Sequence, residues 1–293
     1  MIQLILLALA PAAAIIHFFY WRDKYEKEPF LLLFYAFMLG VFSIVPALFG
    51  GTVGSYFGIE ISENVITTII YAFFIVALFE EVAKYIFLRY FMFKRKEFDE
   101  PYDGIMYAVM VGMGFATFEN IMYVMQGGVG LAIARMFTAV PAHGAFGAVM
   151  GYYVGLAKFD AQNRPALLLK GLLGAVVLHG SYDFFLMQQE SEGLMLMALP
   201  ILAVSVYYAR RAIVKHQKNS PFNPSNRMAA NNIDQQQQQQ QNDIDHSPQM
   251  PPPLLADEQK QITEPKPHLS DTSTPASNVR NHDAAKNIDD PIG

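Results

Sequence analysis

The chain contains no cysteine, which excludes a disulfide framework, a thiolate-ligated metal and a cysteine nucleophile together. Charge is scarce as well. Asp, Glu, Lys and Arg make up 16% of the residues, against about a quarter in an ordinary soluble domain. No basic stripe interleaved with aromatics occurs, and the net charge of −5 comes largely from the C-terminal end, so a nucleic-acid partner is not expected. Two hydrolytic signatures are missing: the zinc-binding H-E-x-x-H and the serine elbow G-x-S-x-G. Ser181 follows His179 by two positions, which on a helix turns it away, so a serine mechanism has no support.

Apolar residues fill that space. They make up 53% of the sequence, and a helix of about 20 of them crosses a bilayer. Such runs occur at Ile2–Tyr20, Phe30–Phe49, Val65–Phe93, Gly104–Met125, Gly130–Ala157, Ala166–Met187 and Leu194–Ile213. The expected fold is all-α: a polytopic bundle of about seven transmembrane helices. The first run has no basic n-region and stays apolar through Tyr20, so it is expected to be a retained span and not a cleaved signal.

Lys and Arg collect in alternate loops: Arg22, Lys24 and Lys27; Lys94, Arg95 and Lys96; Lys158 and Arg164; then Arg210, Arg211, Lys215 and Lys218. The loops between are poor, with Arg135 the one basic residue near them. The positive-inside rule then puts the N-terminus outside and the C-terminus in the cytoplasm. Residues 1–214 are expected to form the membrane domain and 215–293 a disordered cytoplasmic tail. That tail is rich in Gln, Pro and Asn, with Gln235–Gln241 as a homopolymer, and has too little apolar surface to offset its ordering entropy.

Ionisable groups inside spans are costly and need a partner or a role. The third run holds Glu80, Glu81 and Lys84, the fourth Glu119 and Asn120, the fifth His143, the sixth His179 and Asp183. Lys84 can pair with Glu80 at i+4 or with Glu81 at i+3. A neutralised pair would let the helix insert. One lysine cannot neutralise two carboxylates, however, and the remainder is a surplus negative charge or a bound proton, which suits a general acid/base. Glu119 alone could be a structural hydrogen-bonding group, and His143, Gly147, Gly151 and Gly155 could be a packing ridge headed by a histidine. His179 and Asp183 stand one turn apart, so the aspartate can fix the imidazole's tautomer and orientation. By span position, Glu80, Glu81 and His143 fall near mid-membrane, with Glu119 and His179 somewhat outside it and Asp183 shallower still. Four helices thus bring acids and imidazoles to compatible depths, as one water-filled pocket requires. The set suits water activation, in which a glutamate takes the proton and a histidine or asparagine donates to the oxyanion. It also suits proton-coupled transport or conduction. No cofactor is required, although His and carboxylate could bind a divalent metal such as zinc.

The segments Phe79-Glu80-Glu81-Val82-Ala83-Lys84, Phe115-x-x-x-Glu119-Asn120, His143 with its small residues, and His179-x-x-x-Asp183 resemble the motifs of the PrsW family of intramembrane proteases, as does Arg22–Pro29 after the first span. The resemblance covers about residues 5–210 and omits the tail. It implies an intramembrane endopeptidase of the bacterial plasma membrane, related to the CAAX protease and bacteriocin-processing group and of glutamic rather than metallo type. Its substrate would be a membrane-anchored protein, cut near the membrane surface, with anti-sigma-factor-like regulatory proteins as the reference class. Catalytic positions would be Glu80, Glu81, Glu119, His143, His179 and Asp183, with Lys84 and Asn120 supporting.

Overall fold

The computed structural model describes residues 2–62, 64–188 and 192–246. Among them all regular structure is helical, with no strand. Helix α1 is Ile2–Arg22, α2 is Phe30–Phe42 and α3 is Ile44–Tyr56; α4 is Val65–Ile70 and α5 is Leu78–Phe87. Helix α6 is Pro101–Phe137, α7 is Ala139–Phe159 and α8 is Arg164–Leu186. The single turn α9 (Glu192–Met195) precedes α10 (Ala198–Asn219) and α11 (Pro224–Asp245). Six helical stretches are long and apolar enough to cross a membrane. One of them, Pro101–Phe159, is 59 residues long, roughly three times what a bilayer core needs. It is a hairpin: Gly104 meets Gly151 and Gly155 at one end, and Gly112 meets the His143 carbonyl further along. Counting its two arms separately gives the seven crossings expected.

Helix α6 occupies the centre, with every residue from Tyr102 to Thr117 buried. Glycine makes this possible. A Cβ on Gly104 would lie 2.5 Å from the Gly151 carbonyl oxygen and the Gly155 nitrogen, so only a bare backbone lets α6 and α7 approach this closely. The ridge Gly147, Gly151 and Gly155 is thus the packing face of α7. Residues such as Phe30, Leu31, Leu48 and Phe137 point outward and are exposed, as suits side chains solvated by lipid.

Several spans differ from the plain apolar runs. The second is broken at Ser43, whose hydroxyl donates to the Gly40 carbonyl (2.6 Å); Pro46 shortly after has no N–H for the helical ladder. The fifth begins at Ala139, not Gly130. Gly128 takes φ 69° and ψ −159°, a conformation open to glycine, and the segment from there to Phe137 is a short helix of its own. At the other end, residues past the expected domain boundary of 214 belong to the bundle. His216 contacts the Tyr152 carbonyl (2.9 Å), and Gln217 and Ser220 bond to the Arg22 carbonyl and to Glu100. The segment read from composition as disordered is helical through Asp245, though α11 buries no residue. The rest of the expected tail, 247–293, lies outside the described residues.

A second polar cluster gathers where the α1–α2 loop meets the start of α6 and the end of α10. Asp23, Glu28, Glu100 and Asp103 are all buried there. Asp103 accepts from the backbone N–H of Glu100 (2.7 Å) and of Asp99 (2.9 Å), closing the cap of α6, and Tyr107 donates to Glu28. Among the described residues neither carboxylate oxygen of Asp23 has a hydrogen-bond partner. Burial pushes both Asp23 and Glu28 up to about 7, with nearby Glu100 adding to the effect at Asp23. An acid whose pKa is raised by folding binds its proton more tightly in the folded state. Its contribution to stability is full below the unfolded pKa and is lost as pH rises through the folded one. The bundle is therefore expected to be less stable near pH 8.5 than near pH 5.5, by up to a few kcal/mol, and to unfold at lower temperature there. Asp23→Asn should flatten this dependence in a thermal-unfolding series across that range.

Candidate active site

Helix α5 carries Glu80, Glu81 and Lys84 between two π-helical stretches, Tyr71–Ala77 and Leu88–Met92. Each π turn takes in an extra residue and so rotates the face that follows; such turns are frequent at functional sites. Glu81 and Lys84 are buried, while the side chain of Glu80 keeps 15% of its surface open.

Lys84 is the hub. Its Nζ donates to Glu81 Oε1 (2.8 Å) and Glu80 Oε2 (3.4 Å), and it reaches His143 Nδ1 at 3.3 Å. It also sits 3.9 Å above the Phe115 ring, a cation–π contact. The lysine thus pairs with both carboxylates. An ammonium group only donates, so Nδ1 of His143 is the accepting nitrogen and Nε2–H is left to donate. Nε2 lies 3.0 Å from Glu119 Oε2. His179 differs: Nδ1 is 2.9 Å from Glu81 Oε1, and Nε2 is 3.2 Å from Asp183 Oδ2 and 3.9 Å from Glu80 Oε2. With ionised carboxylates at both nitrogens, both must donate, and the ring is an imidazolium. Phe146 stacks on it at 5.1 Å between centroids, and the two imidazoles meet edge-on at 5.1 Å.

Seven of the eight residues singled out in the sequence therefore meet in one connected network, and Asn120 joins it through a further residue. A ninth completes it. Arg135, on the short helix after the Gly128 break, donates to Glu119 Oε2 (2.7 Å) and to Asn120 Oδ1 (3.0 Å). Asn120 in turn donates to the Ala8 carbonyl on α1 (3.1 Å). The one hint of this in the sequence was a lone arginine near an otherwise uncharged loop. Four carboxylates (Glu80, Glu81, Glu119, Asp183) face three cations (Lys84, Arg135, His179), so the remainder is one negative charge or one bound proton. Ser181 takes no part, its hydroxyl donating to the Val177 carbonyl of its own helix (2.7 Å).

Depth departs from expectation in one respect. His143 lies one turn from the start of α7 at Ala139, and His179 two turns from the end of α8 at Leu186. On α7 and α8 the network thus sits toward one end, about 6–11 Å in along the helix axes, while Glu80 and Glu81 lie mid-way along Val65–Met92 as expected. The Gly128 break is at that same end, not at mid-span, where a transporter's discontinuous helices would place it.

The model of the family described as PrsW family intramembrane metalloprotease matches residues 28–209, and these include every residue of the network. The chain belongs to the PrsW family. It is 39% identical over 193 residues to the protein named Protease PrsW of Geobacillus kaustophilus (strain HTA426), covering 66% of this chain and 84% of the relative. To Protease PrsW of Bacillus subtilis (strain 168) it is 37% identical over 197 residues, 64% and 84% of the two chains. To that of Clostridioides difficile (strain 630) it is 31% identical over 208 residues, 69% and 86%. No solved structure matches the chain. The chain is thus a multi-pass membrane peptidase of the intramembrane type, and its substrate is a protein held in the membrane.

The PrsW family description raises the question of a metal. Glu80, His143 and His179 each offer a ligand atom, all within 4.8 Å of one another, and two imidazoles with one carboxylate are a donor set that zinc accepts. The residues fit such an ion. Lys84 works against it, with its ammonium 3.4 Å and 3.3 Å from two of the three donors.

In a PrsW peptidase of this geometry Arg135 acts at one remove, holding Glu119 and through it the tautomer of His143. Arg135→Gln is expected to lower cleavage on the order of 10²-fold, the cost of a misplaced group. Arg135→Lys should restore part of it by keeping the charge. Full activity of the glutamine variant in a reporter-cleavage assay would remove Arg135 from the site.

Proposed function

We propose that the chain hydrolyses a peptide bond of a membrane-anchored protein near the outer membrane surface, with Glu80 as general base. The observation that carries this reading is the difference between the paired glutamates. Glu81 is enclosed, its Oε1 held at once by Lys84 and His179. Glu80 is partly open, makes only the longer contacts, and its Oε1 has no protein partner among the described residues. A water beside Glu80 would give its proton to that carboxylate and attack the substrate carbonyl carbon. The oxyanion would sit beside the His179 imidazolium, whose Nε2–H, 3.9 Å from Glu80, would divide its donation between the oxyanion and Asp183. Glu80 would then return the proton to the leaving amine. Asp183 aims His179, and Lys84 with Glu81 fixes the charge around it.

The alternation of basic loops favours an N-terminus outside and a cytoplasmic C-terminus in a bacterial plasma membrane. Under that orientation the network faces the extracytoplasmic side. The family resemblance points to regulatory, anti-sigma-factor-like substrates. A metal mechanism is the second reading, favoured by the spacing of Glu80, His143 and His179. There the three residues would hold zinc, which supplies Lewis acidity and lowers the pKa of bound water. Purified full-length protein with a membrane-anchored peptide, assayed with and without a strong chelator, separates the two. Cleavage unchanged by the chelator is the expected result. Loss on chelation and recovery with zinc would replace the general-base reading by the metal one, and proton-driven flux without any cleavage would overturn both.

A further inference from the structure

On the far side of α7 and α8 from the network, α10 leaves a groove of about 1360 Å³. None of the network residues lines it. One end is apolar, with Leu173, Val177 and Val206 on its walls. The other end carries Lys170, Arg210, Arg211, Lys215 and Lys218, all exposed, and among the described residues no carboxylate contributes to the lining. What these cations do touch is aromatic. Arg211 donates to the Tyr207 hydroxyl at 3.2 Å, and Lys215 lies 5.4 Å from the Tyr152 ring centre. Among the described residues none of the five forms an ion pair with a carboxylate. Lys84 and Arg135, in the network, both meet carboxylates instead.

We propose that this groove binds one anionic phospholipid of the surrounding bilayer, its acyl chain between α8 and α10 and its phosphate among Lys170, Arg211 and Lys215. Three features select this occupant. The groove opens on the lipid-facing flank of a bundle that crosses the membrane. Its apolar end and its basic end follow one another along the helix axis, as tail and headgroup do. The uncompensated positive charge requires an anion, and tyrosines at the junction suit the amphipathic interface.

The test is native mass spectrometry of the full-length protein, offered phosphatidylglycerol or phosphatidylcholine in detergent. Wild type is expected to retain phosphatidylglycerol in preference. The triple variant Lys170→Gln/Arg211→Gln/Lys215→Gln should retain at least about tenfold less, since each cation near an anionic headgroup contributes severalfold. A control with the same loss of charge among basic-loop residues outside the groove, Lys24→Gln/Lys94→Gln/Lys96→Gln, should bind as wild type does. Val206→Trp, which fills the apolar end and leaves every charge in place, should also lower retention and serves if the triple variant does not fold. Equal retention of the two lipids by wild type, equal loss in the control, or undiminished retention in Val206→Trp would each overturn the proposal.

Discussion

Glu80→Gln is expected to lower cleavage of a membrane-anchored reporter by at least about 10³-fold, within the span that general bases contribute, while the protein still inserts and accumulates. The amide matches the carboxylate in shape and can still accept from Lys84, so the network keeps its geometry and loses only the group that takes the proton. Glu81→Gln makes an instructive contrast. Its Oε1 accepts from both Lys84 and His179 at 2.8 and 2.9 Å, and a neutral amide there takes the nearest anion from two buried cations, leaving Lys84 the longer contact to Glu80 and His179 that to Asp183. That variant should lose stability along with activity. Measured side by side, expression, unfolding temperature and cleavage rate separate the roles. A Glu80→Gln protein that cleaves within a few-fold of wild type would move the base elsewhere in the network.

Lys84 carries the second large effect. It compensates two carboxylates and orients His143, and with only 4% of its surface open no solvent can take its place. Lys84→Met is expected to destabilise the bundle by about 3–5 kcal/mol, the usual cost of stripping a buried charge of its partner. The double variant Lys84→Met/Glu81→Gln should recover part of that loss, because the stranded anion is then gone. Thermal unfolding in one detergent, with the two single variants completing the cycle, gives the coupling directly. Additive losses would mean that the 2.8 Å pair contributes little and that the lysine acts by packing against Phe115.

Most of the network's members were legible in the sequence because lipid makes charge expensive. Each ionisable residue within an apolar run had to be explained, and the residues so marked are neighbours in space. Arg135 escaped that filter because, although it falls inside the fifth run Gly130–Ala157, it counts with the neighbouring loop. A positive-φ glycine folds its short helix back onto Glu119, and nothing in a hydropathy pattern shows such a reversal. The same break displaced the start of the fifth span and moved His143 from the expected middle to one turn from the helix end. At the C-terminal side, polar composition put the expected boundary at 214. It gave no sign that His216, Gln217 and Ser220 would reach back to the bundle.

What the amino-acid order determined alone was the number of crossings, the helical class, the set of chemical groups in the spans and the family they belong to. These follow from local properties: length of apolar runs, spacing within a turn and the cost of charge in hydrocarbon. Which glutamate stands open and which is enclosed, which nitrogen of each histidine donates, and where the cation-lined groove lies were decided only by tertiary structure. Adjacent residues of the same type differ only in what neighbouring helices place against them, and those contacts join parts of the chain that lie far apart in sequence.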